Sequence, residues 1–281
     1  MSVISACIAL FLLAILNCRA QSDLAKEIVS RIEKETCATL QSGTKVCKYD
    51  YKDNGKAVEA ISFRPAGDGL FPGVVMIPGF GGTARDLVPL GVRMANSGFA
   101  AISVSQLGFG TSDGPPDFVG PKTINAIVTG YRKLQKEAYV DPKRMGIYGY
   151  SRGGMAASLL AVELDDLKAA VLGAGIYDLR KFYDDTPLPG ARKNVIAETG
   201  LNPEAIRVRS SILQMEKLKC PVLIMHGGKD ERVPVNQAYM LRDRLTKLNK
   251  DFEFKIFPES GHSIGQPAGD LAIDFLKRKL Q

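Results

Sequence analysis

The stretch "YGYSRGGMAAS", Tyr148 to Ser158, holds a serine between two glycines at G-x-S-x-G spacing, with Arg152 directly behind it. The spacing alone says little, because 28 of the 281 residues are glycine. Its surroundings say more. "RMGIYGY" (Arg144–Tyr150) is an apolar run with strand character, and Gly153 to Leu164 has helical character. A serine on the sharp turn between a strand and a helix is the arrangement of a nucleophile elbow, with the hydroxyl exposed at the strand's carboxyl end. Backbone crowds such a turn on both sides, and Gly149 and Gly153 have no Cβ to obstruct it. The following helix aims unpaired N–H groups at the serine, which favours negative charge developing there.

Working outward, the same alternation continues. Apolar strand-like runs occur at Gly73–Gly79, Phe99–Val104, Ala169–Ala174, Pro221–Gly227 and Phe252–Pro258. Between them lie helix-period segments: Thr83 to Ser97, a stretch marked by Ile124, Ile127, Tyr131 and Leu134, one marked by Val235, Leu241 and Leu248, and a closing helix through Leu271, Phe275 and Leu280. Unbroken apolar strands separated by helices predict an α/β fold, a doubly wound and mostly parallel sheet covered on both faces. Cys47–Tyr51 and Val58–Phe63 are expected to form an antiparallel entry hairpin. Residues 176–219 interrupt the alternation and carry one predicted helix near Asn202–Lys217. They are read as a small cap insertion within one domain spanning residues 21–281.

A serine nucleophile needs a base, and the base needs an orienting carboxylate. The chain has two histidines. His262, in "ESGHSIG", follows the last strand, and Asp230, in "HGGKDERVP", follows the strand before it. The order Ser151, Asp230, His262 suits strand-end residues of this fold. Asp178, after an earlier strand, is the alternative acid or else a helix-start residue. His226 reads as a strand-end residue supporting the acid loop, and Glu231 as a solvated neighbour. The oxyanion donors are expected to be the backbone N–H of Arg152 and that of Phe80, in "IPGFGGT". The Arg152 side chain either pairs beside the cap or orients an acidic substrate.

Together "VVMIPGFGGT", "DPKRMGIYGYSRGG", "CPVLIMHGGKDERVP" and "PESGHS" resemble the α/β-hydrolase superfamily, over roughly Val58 to the C-terminus. Within it the chain is most similar to dienelactone-hydrolase-like proteins and to the catalytic domains of prolyl oligopeptidase-type peptidases. The resemblance implies Ser151 as nucleophile, Asp230 as acid and His262 as base, as the residues themselves do. Dienelactone hydrolases proper carry cysteine where Ser151 stands, so that activity is not expected. Prolyl oligopeptidase-type enzymes usually carry a large N-terminal propeller. Only a few dozen residues precede the fold in this sequence, so gated peptidase action is not expected. Many relatives have histidine where Pro78 stands, a position that shapes the oxyanion loop without supplying its backbone donors.

The N-terminal run Val3–Leu16 is apolar but short for a membrane span. Residues 1–20 read as a signal peptide cut after Ala20, with Cys18 and Ala20 at the small-residue positions. No Lys or Arg precedes the run, so an uncleaved anchor is the alternative, and Asn17 fits a lipid-modified Cys18 poorly. Export makes a Cys37–Cys47 disulfide the expected state, and Cys220 a buried free thiol. The net charge of +7 is dispersed. No zinc-ligand spacing, RNA-binding signature or heptad repeat is present, which argues against nucleic-acid and coiled-coil functions. The expectation is a secreted or periplasmic serine hydrolase, cofactor-free and metal-free, acting on a small carboxylic ester. A serine peptidase or amidase taking short peptides, and a catalytically silent binding protein on the same scaffold, are the rivals.

Overall fold

Within Phe71–Ile77, Val74 and Met76 enter one apolar cluster while Val75 and Ile77 enter another, and all four are fully buried. Successive side chains of a strand point to opposite faces, so a strand apolar on both needs helices above and below. The computed structural model, which describes residues 23–281, shows that architecture. The strands are β1 (Cys37–Thr39), β2 (Lys45–Lys48), β3 (Tyr51–Asp53), β4 (Lys56–Val58), β5 (Ala60–Arg64), β6 (Phe71–Ile77), β7 (Ala100–Val104), β8 (Val140–Tyr150), β9 (Ala169–Gly173), β10 (Val222–Gly227) and β11 (Phe252–Phe257). Nine of them form one sheet in the order β1-β2-β5-β7-β6-β8-β9-β10-β11. From β7 to β11 every neighbouring pair is parallel. The N-terminal strands β1, β2 and β5 join antiparallel at one edge.

One face is covered by α1 (residues 23–35), α2 (Val88–Asn96) and α9 (Gln266–Leu280), through Ile28, Met94 and Phe275. The other is covered by α3 (Pro121–Gln135), α4 (Arg152–Glu163) and α8 (Asn236–Lys247), through Ile127, Leu160 and Leu241. The helix expected over Thr83–Ser97 is two pieces, a 3-10 turn at Ala84–Leu87 and then α2. Pro89 explains the break: it lacks an N–H and suits only the first turn of a helix.

The expected entry hairpin is also more elaborate. β2 does pair with β5, Cys47 opposite Ser62, but β3 and β4 form a separate two-stranded ribbon between them. Its turn is Asn54-Gly55, both at positive φ (47° and 83°), the geometry that a tight two-residue hairpin requires. The insertion holds α5 (Leu179–Asp185), α6 (Pro189–Thr199), α7 (Pro203–Val208) and a 3-10 turn at Ser211–Lys217. The single helix expected near Asn202–Lys217 is broken at Ser210. Its hydroxyl donates to the Ile206 carbonyl at 2.9 Å and accepts the Leu179 N–H at 3.0 Å.

The chain runs from β6 to β7 on one side, whereas β8 lies on the other side of β6. Segments leaving the carboxyl ends of β6 and β8 therefore diverge, and an open parallel sheet forms its ligand crevice at such a point.

Residues 1–20, read above as a signal peptide, lie outside the described residues, as do Cys7 and Cys18. Among the described residues no helix is long and apolar enough to cross a membrane. Cys37 and Cys47 stand directly opposite on β1 and β2 and form a disulfide. Cys220 is a buried free thiol, and burial pushes its pKa up to about 12. The cross-link closes a ten-residue separation. By the loop-entropy relation, replacing both Cys37 and Cys47 by serine should lower unfolding free energy by about 2–3 kcal/mol. Urea denaturation of the oxidised protein and this variant measures it. Equal midpoints would show that the edge strand is held without the cross-link.

Candidate active site

Ser151 sits between the last residue of β8 and the first of α4, at φ 56° and ψ −122°. That conformation is costly for a residue with a side chain, by roughly 1–3 kcal/mol, and persists only where the surroundings enforce it. Here the Ser151 N–H donates to the Gly173 carbonyl on β9 at 2.7 Å, and the Ser151 carbonyl accepts from Met155 in α4 at 3.1 Å. A Cβ on Gly149 would lie 2.0 Å from the Gly153 carbonyl oxygen, and one on Gly153 would lie 2.1 Å from that of Ile77. The two glycines of the motif are therefore steric necessities of this turn.

Three side chains from three strand-end segments meet at the elbow. His262, between β11 and α9, places Nε2 2.9 Å from Ser151 Oγ and Nδ1 2.8 Å from Asp230 Oδ2. A carboxylate only accepts, so Nδ1 carries the hydrogen and Nε2 presents its lone pair to the hydroxyl. Asp230, between β10 and α8, is fixed by its own turn: Oδ1 accepts the N–H groups of Arg232 and Val233, each at 2.9 Å. Burial opposes its charge. Hydrogen bonds from His226, His262 and the Val233 N–H outweigh that cost and hold the carboxyl well below the usual carboxylate range.

The other candidates fall elsewhere. Asp178 caps α5, accepting the Lys181 N–H at 2.9 Å. Glu231 is exposed. His226 is fully buried, with Nε2 3.1 Å from Asp230 Oδ2 and 2.9 Å from the Val233 carbonyl. Both are acceptors, so Nε2 carries the hydrogen and ties the Asp230 turn to the end of β10.

The loop after β6 runs against the serine: a Cβ on Gly79 would lie 3.2 Å from Ser151 Cβ. The N–H groups of Phe80 and Arg152 have no acceptor among the described residues. Gln106 Nε2 donates to the Pro78 carbonyl at 2.8 Å and anchors the start of that loop. The Arg152 side chain is buried and pairs with Glu198 of the insertion, so it turns away from the role of orienting an acidic substrate.

Sequence reasoning passed over Tyr150, Gln106 and Glu198. The Tyr150 hydroxyl donates to the His262 carbonyl and accepts the Ile264 N–H at 3.3 Å, bracketing the histidine. Burial pushes this phenol up to about 12, so it stays protonated. The available signal was its position, one residue before Ser151 on the strand that delivers the nucleophile. Glu198 had none, since α6 buries only Val195 and Thr199 and shows no apolar stripe.

The profile of the prolyl oligopeptidase family matches residues 119–279. The uncharacterized peptidase YtmA of Bacillus subtilis is 29% identical over 227 residues, covering 79% of this chain and 88% of that protein. The acylaminoacyl peptidase of Pyrococcus horikoshii superposes with a TM-score of 0.72 at 21% identity, over 86% of this chain and 42% of that one. This chain thus spans under half of that peptidase. The acetyl xylan esterase of Paenibacillus sp. R4 superposes with a TM-score of 0.72 at 17% identity, over 92% of this chain and 93% of that one. These structural likenesses are to the α/β-hydrolase fold.

Two outcomes follow from the geometry. Gly153→Ala should destabilise the fold by ~3 kcal/mol through overpacking, measured by urea denaturation; an unchanged midpoint would mean the elbow has room to spare. The depressed Asp230 gives the native state stability that is present above the unfolded carboxyl value, about 3.9, and is lost as pH falls through the lower native value. The stability difference between native protein and Asp230→Asn should therefore shrink on going from pH 7 to pH 3. A constant difference would contradict the depressed value.

Proposed function

The chain belongs to the prolyl oligopeptidase family, and from that premise we propose that Ser151, His262 and Asp230 are the catalytic triad of a serine hydrolase that cleaves small carboxylic esters. The observation that carries it is the unbroken relay from Oγ through the imidazole to the carboxylate, at 2.9 Å and 2.8 Å. Ser151 Oγ attacks the ester carbonyl while His262 Nε2 takes the hydroxyl proton, and Asp230 stabilises the imidazolium. The tetrahedral oxyanion accepts from the Phe80 N–H in the loop after β6 and from the Arg152 N–H at the amino end of α4. As the carbon–oxygen bond breaks, the imidazolium returns its proton to the leaving alkoxide. Water, activated by the same imidazole, then releases the acid and restores Ser151.

Ester as the substrate class draws support from the acetyl xylan esterase, matched over almost its whole chain. A second reading, short peptides or amides, draws support from the family and from the peptidase name of the curated relative. The two share every step except the leaving group, which the fold does not choose. We also read the protein as exported, secreted or periplasmic, on its apolar N-terminus and the Cys37–Cys47 disulfide.

A fluorophosphonate should label the native protein and not Ser151→Ala. His262→Ala should lower kcat by on the order of 10^4-fold or more. Nitrophenyl esters should show higher kcat/KM than matched aminoacyl-arylamides. The reverse ranking would replace the ester reading with the peptidase one. Absence of labelling in folded protein would leave a binding protein on a hydrolase scaffold.

A further inference from the structure

Arg152 is 2% exposed yet carries a charge, and a charge that far from water persists only against a partner. Two guanidinium nitrogens reach the two carboxylate oxygens of Glu198, on α6, at 2.5 and 3.1 Å. The same carboxylate accepts the Phe118 N–H at 2.6 Å. Three rings flank the guanidinium, with centroids 4.6 Å (Phe118), 5.4 Å (Phe80) and 5.4 Å (Phe109) away. Phe80 and Phe109 meet edge to face at 5.6 Å. One side chain thus reaches three segments: the loop after β6, the segment between β7 and α3, and the insertion.

The loop after β6 needs such a hold. Phe80 lies among Gly79, Gly81 and Gly82 and is 56% exposed. Glycine-rich backbone is conformationally permissive, so the direction of the Phe80 N–H depends on what restrains its residue. The Gln106 anchor at Pro78 and a Gly82 N–H to Gly79 carbonyl bond at 3.2 Å hold the backbone around it, and the aromatic cluster on Arg152 holds its side chain. The segment behind that cluster is in turn constrained. Phe118 and Val119 adopt φ of 46° and 54°, unfavourable for bulky side chains. Glu198 holds the Phe118 N–H, and Arg209 donates to the Asp117 and Phe118 carbonyls at 2.7 to 3.1 Å.

We propose that Arg152 and Glu198 are a positioning pair for the oxyanion hole, with the Arg152 guanidinium locking Phe80 against the start of α4 so that both N–H groups converge on one point. The proposal rests on the reading that Ser151 is acylated and that these two N–H groups receive the oxyanion. A buried ion pair is on average no more stabilising than an apolar pair of similar volume, so its contribution here is geometry rather than net stability.

Arg152→Met alone leaves Glu198 buried and unpaired, and destabilises the fold. The informative variant is Arg152→Met with Glu198→Leu, which removes both charges. Its thermal midpoint should stay within a few degrees of native. Its kcat should fall on the order of tenfold to a hundredfold, with KM changed less than about threefold. The second-order rate of fluorophosphonate labelling at Ser151 should fall by the same factor as kcat/KM, because that adduct places an oxygen in the same hole. Glu198→Gln, which keeps the Phe118 acceptor but loosens the guanidinium, should show a smaller fall in both rates. A loss of midpoint without the matched fall in both rates, in either variant, would make the pair structural only. So would kcat and labelling within about twofold of native. If native protein is not labelled, the acyl-enzyme reading fails and takes this one with it; labelled native protein with unaffected variants overturns the positioning role alone.

Discussion

The turn at Ser151 is enclosed by backbone on every side that matters. The carbonyl oxygens of Gly153 and Ile77 occupy the spaces where Cβ atoms on Gly149 and Gly153 would stand, and the Ser151 N–H is held by β9. That enclosure forces the serine into a left-handed φ and fixes the start of α4. Once the turn is set, the hydroxyl can lie only at the carboxyl ends of the strands. The loops after β6, β10 and β11 then arrive around it because parallel strands discharge their chains at the same end.

Electrostatics organises what geometry has gathered. Asp230 bears a charge in a buried setting and is satisfied by two turn N–H groups, His226 and His262. Its position fixes the tautomer of His262, and that tautomer presents the Nε2 lone pair to the Ser151 hydroxyl. The Arg152–Glu198 pair is withdrawn from solvent beside the aromatic cluster, its charges satisfied by each other. Ser151 caps the positive end of α4, and the Asp230 carboxylate lies behind the imidazole that meets its hydroxyl. A positive helix end and a carboxylate-backed imidazole at one hydroxyl suit a reaction in which an oxyanion and an imidazolium form together.

Much of this was legible in the amino-acid sequence, for reasons particular to each element. β6, β7, β9, β10 and the second half of β8 read clearly because burial on both faces leaves runs that are almost wholly apolar. Ser151, Asp230 and His262 could be named because glycine spacing, strand-end position and a scarcity of histidines all restricted the choice. The β3–β4 ribbon escaped because three-residue strands are too short for a pattern, although Asn54-Gly55 marked the turn. The insertion at 176–219 was legible as a break in the alternation, but its helices α5 and α6 were not, and α7 with the 3-10 turn read as one helix, because α6 and α7 bury few residues and show little apolar pattern. Glu198 escaped because a buried partner for Arg152 is defined only after the insertion has folded over the elbow.

The proposed chemistry requires a covalent acyl group on Ser151 during turnover. Acid quenching during steady-state hydrolysis of a slowly deacylating nitrophenyl ester, followed by mass measurement and peptide mapping, tests it directly. One acyl group per chain is expected, on the peptide containing Ser151, and none in a variant lacking that hydroxyl. Turnover with no adduct on that peptide, or an adduct on another residue, would contradict it.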